Sequence, residues 1–171
     1  MNAPFKRSRW KPGDVYVVPL SQGWFGKVQA IVASPAFPNV VNVAVFGSKY
    51  PEVLHMSADI SSESLIALLA TSRSEMNGGW WGKVGWSKPC VENHDFPNFR
   101  LGNEGVGHLH HSGSVIENLV SAMHGLLPWN INTPEDYYDR LLAPGVKRAD
   151  TARILTAVEL ATFRQQRTSL N

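Results

Sequence analysis

The side chains best suited to chemistry in this chain are the imidazoles of His108-Leu109-His110-His111, with His94-Asp95 upstream and His124 downstream. A neutral imidazole is a good zinc ligand through one ring nitrogen. In a strand, His108 and His110 would project to the same face, as a shared metal ion requires. No carboxylate stands at a familiar ligand spacing, and the H-E-x-x-H pattern is absent. The first reading is therefore a set of partly exposed histidines at a strand–helix junction. A metal-dependent enzyme built on His108, His110 and His111 is kept as an alternative, and no metal or other cofactor is assigned. The single cysteine, Cys90, follows Pro89 with no helix start beside it to favour the thiolate, so it reads as a small buried hydrophobe. No G-x-S-x-G elbow is present to anchor a serine hydrolase. The glycine-rich stretch Gly102-Asn-Glu-Gly105-Val-Gly107 lacks the lysine of a phosphate-binding loop.

Recognition is better represented than reaction. Six tryptophans are a heavy load for 171 residues. Trp80, Trp81 and Trp86 lie close together and could stack nucleobases, with the N-terminal cations Lys6, Arg7, Arg9 and Lys11 as an electrostatic arm. Only Lys83 and Lys88 are interleaved with them, so packing within a sheet is the plainer role and nucleic acid is a second alternative. A tryptophan left at the surface would be a natural anchor for a protein partner. Trp24 and Phe25 at a hairpin are candidates for such contacts. Glu135, Asp136 and Asp139 could form a small acidic patch, although acids in a first helical turn also complement the helix dipole.

Composition narrows the setting. The length fits one domain over residues 1–171, with 1–10 as a flexible basic arm. Hydrophobic residues make up 43% and charged ones 18%, which excludes a chain that is disordered throughout. The formal net charge of +2 is too small for a broad nucleic-acid footprint. One cysteine cannot form an internal disulfide, and the apolar runs fall well short of the roughly 20 residues that span a bilayer. A cytoplasmic protein is expected.

The elements that would position these residues are strands first and helices last. Lys11-Pro-Gly-Asp14 is a turn signal, and Val15–Leu20, Trp24–Ala33 and Val40–Phe46 read as strands. In the second of these, Trp24, Gly26, Val28, Ala30 and Val32 form the more apolar set and should face the core. Pro51–Met56 could be a further short strand. Ser61-Ser-Glu-Ser64 reads as a helix start, with Leu65, Ile66, Leu68 and Leu69 at helical spacing after it. Trp80–Trp86 is a strand, and two short strands are placed at Phe99–Leu101 and Val106–His108. Three helices follow: one through Val115, Leu119, Ala122 and Met123, one opened by Thr133-Pro-Glu-Asp136, and one over Asp150–Arg167. The absence of βαβ alternation argues for α+β architecture: a twisted antiparallel sheet in the N-terminal half with C-terminal helices packed against it.

Two stretches carry a family resemblance. Trp10-Lys-Pro-Gly-Asp-Val-Tyr-Val-Val-Pro-Leu20, followed by Gly23-Trp-Phe-Gly-Lys-Val28, resembles the opening of immunity protein family 26, and Trp81-Gly-Lys-Val-Gly85 is similar to that family's tryptophan–glycine strand. Ile116–Trp129 and Tyr137–Leu142 resemble a helical portion of related bacterial proteins. The resemblance covers chiefly the N-terminal half. It implies an antitoxin that binds a cognate secreted toxin domain in the cytoplasm, with no catalytic residues to carry over.

Overall fold

The structure, a computed structural model, describes residues 3–34, 37–96 and 110–168. Five strands form one antiparallel sheet: β1 (Asp14–Pro19), β2 (Phe25–Ala33), β3 (Val40–Phe46), β4 (Leu65–Ser72) and β5 (Gly82–Trp86), in the order β4-β3-β2-β1-β5. Three helices accompany it: α1 (Ser74–Asn77), α2 (Gly113–Met123) and α3 (Ala157–Thr168). The architecture is α+β, with the sheet in the N-terminal half and the longer helices in the C-terminal half.

Alternation along the strands splits the sheet into two unlike faces. Tyr16, Val18, Val28, Ala30, Val41, Val43, Val45 and Leu69 pack against Ile116, Leu119, Val120 and Met123 of α2, with Trp81, Trp129 and Tyr138 in the same core. Burying one such aliphatic side chain stabilises the fold by about 1.5–3 kcal/mol. Helix α2 ends where Gly125, at φ +69°, takes the left-handed conformation; Gly125 N–H then bonds to Ala122 O (3.1 Å) and Leu126 N–H to Ser121 O (2.9 Å). A Cβ at Gly125 would lie 2.5 Å from Thr151 O, so the following chain also needs glycine here.

The opposite face carries a smaller apolar cluster of Val15, Ile31, Ala44 and Phe46 under Ile60 and Phe96. Loops cover it, and three buried polar side chains tie those loops down. Gln29 Nε2 donates to Ser87 O (3.0 Å) and Lys88 O (3.1 Å), while its Oε1 accepts from Cys90 N–H (3.0 Å). Asn42 Nδ2 donates to Asn93 Oδ1 (3.1 Å). Lys27 Nζ reaches Glu63 Oε1 (2.6 Å) and Asp59 O (2.9 Å). The expected parity of β2 thus holds for Gly26, Val28 and Ala30, but a bulge between Ala30 and Val32 moves Val32 to the loop face.

Four element expectations are corrected. Residues 65–72 form strand β4, not a helix: seven residues pair with β3, from Val40↔Ser72 to Phe46↔Leu65, and this pairing outweighs the helix propensity of a Leu/Ala run. Residues 51–56 contain a 3₁₀ turn at Val53–His55, and only Tyr50 bridges to Phe25. Residues 133–142 form turns and a 3₁₀ turn at Asp139–Leu141 around a cis Thr133–Pro134 peptide. Tyr138 is buried there and packs edge-on against Trp129. The last helix starts at Ala157, because the Asn130 amide clamps Leu155 through both its N–H (3.0 Å) and its C=O (2.9 Å) and holds the chain off the helix path. Thr156 and Glu159 then bond reciprocally as a capping box. The two short strands placed at Phe99–Leu101 and Val106–His108 lie outside the described residues.

The expected flexible arm is tied down over its described part. Phe5 N–H donates to Gly79 O (3.0 Å) and the Phe5 ring lies on Gly82. Trp10 packs against the α2-side core, and its N–H donates to Asn77 Oδ1 (3.1 Å).

Candidate functional site

The two edges of the sheet are finished differently. At the β4 edge, His111 N–H donates to Ala70 O (2.7 Å) and Ala143 N–H to Ile66 O (2.8 Å), so backbone from the C-terminal half covers the strand. At the other end, β5 pairs with β1 alone among the described residues. Ser87 N–H donates to Gly13 O (2.9 Å), and the Gly13 N–H goes to Ala30 O (2.8 Å) on the other side. The next pair, Asp14↔Trp86, is therefore of the non-bonded kind, with the Trp86 N–H and C=O turned away from β1. A bulge between Val15 and Tyr16 in this ladder keeps the regular run short.

Large aromatics stand at both ends of this edge. Trp86 is 61% exposed and Trp80 41% exposed, whereas Trp81 between them is fully buried and donates Nε1–H to Glu117 (2.8 Å). The Trp86 ring lies across Gly13, and its Nε1–H bonds to Pro12 O (2.9 Å). Gly13 sits at φ +86°, and a Cβ there would come within 2.3 Å of the indole nitrogen. Backbone and ring geometry therefore both require glycine at position 13. Beneath the edge, buried Asp14 holds Lys83 Nζ at 2.7 Å and accepts from Lys11 N–H (2.8 Å). Burial, and then the charge of Asp14, raise the Tyr16 hydroxyl pKa far above its usual value, so this group stays protonated.

The contact residues expected from sequence fall elsewhere. Trp24 is half-buried against the α2-side core, with Lys49 Nζ 4.5 Å from its ring centroid. Phe25 is half-buried, and its backbone pairs with Tyr50 (2.9 and 2.8 Å). Glu135 is exposed, Asp136 pairs with Arg140 (2.8 Å), and Asp139 accepts from Trp129 Nε1–H (3.0 Å). No hydrogen bond or ion pair joins these two groups among the described residues. The helical turn that was to gather the acids is not formed.

Of the histidines, His108 lies outside the described residues and His110 is exposed. His111 Nδ1 is 3.1 Å from the Tyr137 hydroxyl, and burial and then the charge of His110 lower its pKa. No group of three His, Cys, Asp or Glu side chains capable of holding a metal forms among the described residues. Cys90 is at the surface rather than buried: the Gln29 amide holds its backbone at the loop face. Surrounding bulk raises the thiol pKa, which opposes nucleophile character.

Sequence reading missed one cluster altogether. Glu63 receives Lys27 Nζ and the Tyr50 hydroxyl on the same carboxylate oxygen, and Lys27 also lies 5.1 Å from the Tyr50 ring centroid. Burial pushes the Glu63 carboxyl pKa up, but hydrogen bonds from Lys27, Ser48 and Tyr50 outweigh it and hold the group below the usual range. The only signal in the sequence is a lysine at an alternating position of β2, which reads as solvent-facing. Both charged side chains are almost wholly buried, so the cluster serves to hold a loop rather than to meet a ligand.

Comparison with protein-family models, with curated proteins and with solved structures finds no match to this chain. No helix among the described residues is long and apolar enough to cross a membrane.

Proposed function

We propose that this chain is an immunity protein that binds a cognate secreted toxin domain in the cytoplasm and neutralises it. The family resemblance of the N-terminal half motivates the reading. The observation that carries it is the β5 edge, where a 61%-exposed indole stands beside outward-turned peptide groups on a strand paired with β1. Exposed aromatic anchors on a rigid scaffold suit a protein interface, where a few such residues supply most of the binding energy. The polar clusters elsewhere bind loops, Lys27 with Glu63 and Gln29 with loop backbone, while Asp14 and Lys83 join β1 to β5. Inhibition works by occlusion, since an interface of roughly 800 Å² per partner is enough to cover an active site.

Co-expression with the toxin domain encoded beside this gene tests the proposal. Cells carrying both are expected to grow, and the two polypeptides to co-purify at equal stoichiometry. Growth arrest despite ample folded protein, with no complex on size-exclusion chromatography, would remove the immunity reading.

A further inference from the structure

The N-terminal segment is fixed near both ends of β5: Phe5 sits at Gly79 and Gly82, and Pro12 sits at the Trp86 indole. This brings the exposed Lys6, Arg7, Arg9 and Lys11 to the strand that carries Lys83 and is followed by Lys88. Lys83 is paired with buried Asp14, but none of the other five holds an ion pair among the described residues. The neighbouring acid, Asp59, is reached through Ala58, which faces Gly85, and its carboxylate accepts from Ser61 N–H (2.9 Å). The chain as a whole has 16 basic and 14 acidic side chains. Taking away the six cations and Asp14 and Asp59 at this end leaves ten basic residues against twelve acidic ones, so the small positive excess is concentrated at the open edge.

We propose that the β5 edge receives an acidic, extended segment of the partner protein as a sixth strand. The inference rests on the protein-binding reading above and specifies its chemistry. Outward peptide groups at Trp86 supply the ladder bonds, the exposed indoles of Trp86 and Trp80 each take an apolar side chain at their own end of the edge, and the five unpaired cations meet carboxylates beside them. A strand is favoured over nucleic acid because outward amide and carbonyl groups are of no use to a stacking base. One face of the Trp86 ring is also already covered by Gly13.

The test uses the full chain and a capped heptapeptide alternating glutamate with threonine and valine, followed by fluorescence anisotropy. Saturable binding is expected, weakening roughly tenfold between about 50 and 500 mM salt. Roughly tenfold weaker binding is also expected for the R7E/R9E double variant and for Trp86→Ala, all at exposed positions. Exchange of the Trp86 amide slows when the peptide is bound. Failure of the wild-type chain to bind, equal binding of a lysine version of the peptide, or tighter capture of a 20-nucleotide oligothymidylate would each overturn the proposal, the last by making the surface one for nucleic acid. Protection from the toxin without peptide binding removes this inference and leaves the immunity reading intact. Peptide binding without protection does the reverse.

Discussion

The two faces of the sheet are covered by different physics. On the α2 side, apolar area does the work: Trp81, Ile116, Leu119 and Trp129 are buried against strand valines. On the loop side, Lys27, Gln29 and Asn42 stand where apolar residues would be expected, and each reaches over to hold a loop. Loops bury little apolar surface of their own, so a sheet face covered by them needs side-chain bonds to order it. The first face tolerates changes of shape poorly, and the second tolerates the loss of a bonding partner poorly.

The largest effects separate the two faces. Trp81→Ala on the α2 side is expected to cost about 3–5 kcal/mol in chemical denaturation, through lost area and the cavity left behind. Lys27→Ala on the loop side should cost a similar amount, about 3–5 kcal/mol, because it strands the Glu63 carboxylate in the interior. The double change Lys27→Met with Glu63→Leu distinguishes the mechanisms: it should recover most of that loss, whereas no comparable partner change rescues Trp81→Ala. If Lys27→Ala is nearly silent, the loop face is not held as described. Gln29→Leu comes next, at about 1–3 kcal/mol, since the carbonyls of Ser87 and Lys88 lose their donor; selective protease nicking near residues 87–93 would report it.

The faces also titrate with opposite sign. Glu63 is held below its usual pKa in the folded state, so its contribution is present above the unfolded value and is lost as pH falls through the folded one. Burial raises the pKa of Glu117, outweighing its bond from Trp81, so its contribution is present at low pH and is lost as pH rises through the folded value. Denaturation midpoints between about pH 3 and 7 should show Glu63→Gln flattening the acid limb and Glu117→Gln gaining stability toward neutrality. Parallel curves for both variants would contradict the assignment. The smallest expected difference concerns the edges: the amides of His111 and Ala143, bonded to β4, should exchange more slowly than that of Trp86 in the free protein, as read by hydrogen exchange.

Strand β3 was legible in full, because four of its seven residues are valines and turn residues bound it. Strand β4 was not, because leucines at 65, 68 and 69 satisfy helical spacing as well as a doubly buried strand, and only pairing with β3 decides. The Thr133-Pro-Glu-Asp signal is a sound helix start that the packing of Tyr138 and Trp129 overrides. At the candidate site, Trp86 and the basic arm were visible as residue types. Their meeting was not, since it depends on Phe5 finding Gly79 and Gly82 over seventy positions away. The buried Lys27 was invisible for the opposite reason: alternation alone assigns lysine to solvent.

The clustering of cations at one end gives the molecule a preferred heading. A chromatographer relying on its formal charge of +2 and its pI near 8.8 would expect feeble retention on a sulfonate resin at mildly alkaline pH. Because six of its sixteen lysines and arginines gather at one end, it should dock there in a preferred orientation and elute later than a protein whose equal charge is evenly spread. Any anionic surface that it meets in solution will encounter the tryptophan end first.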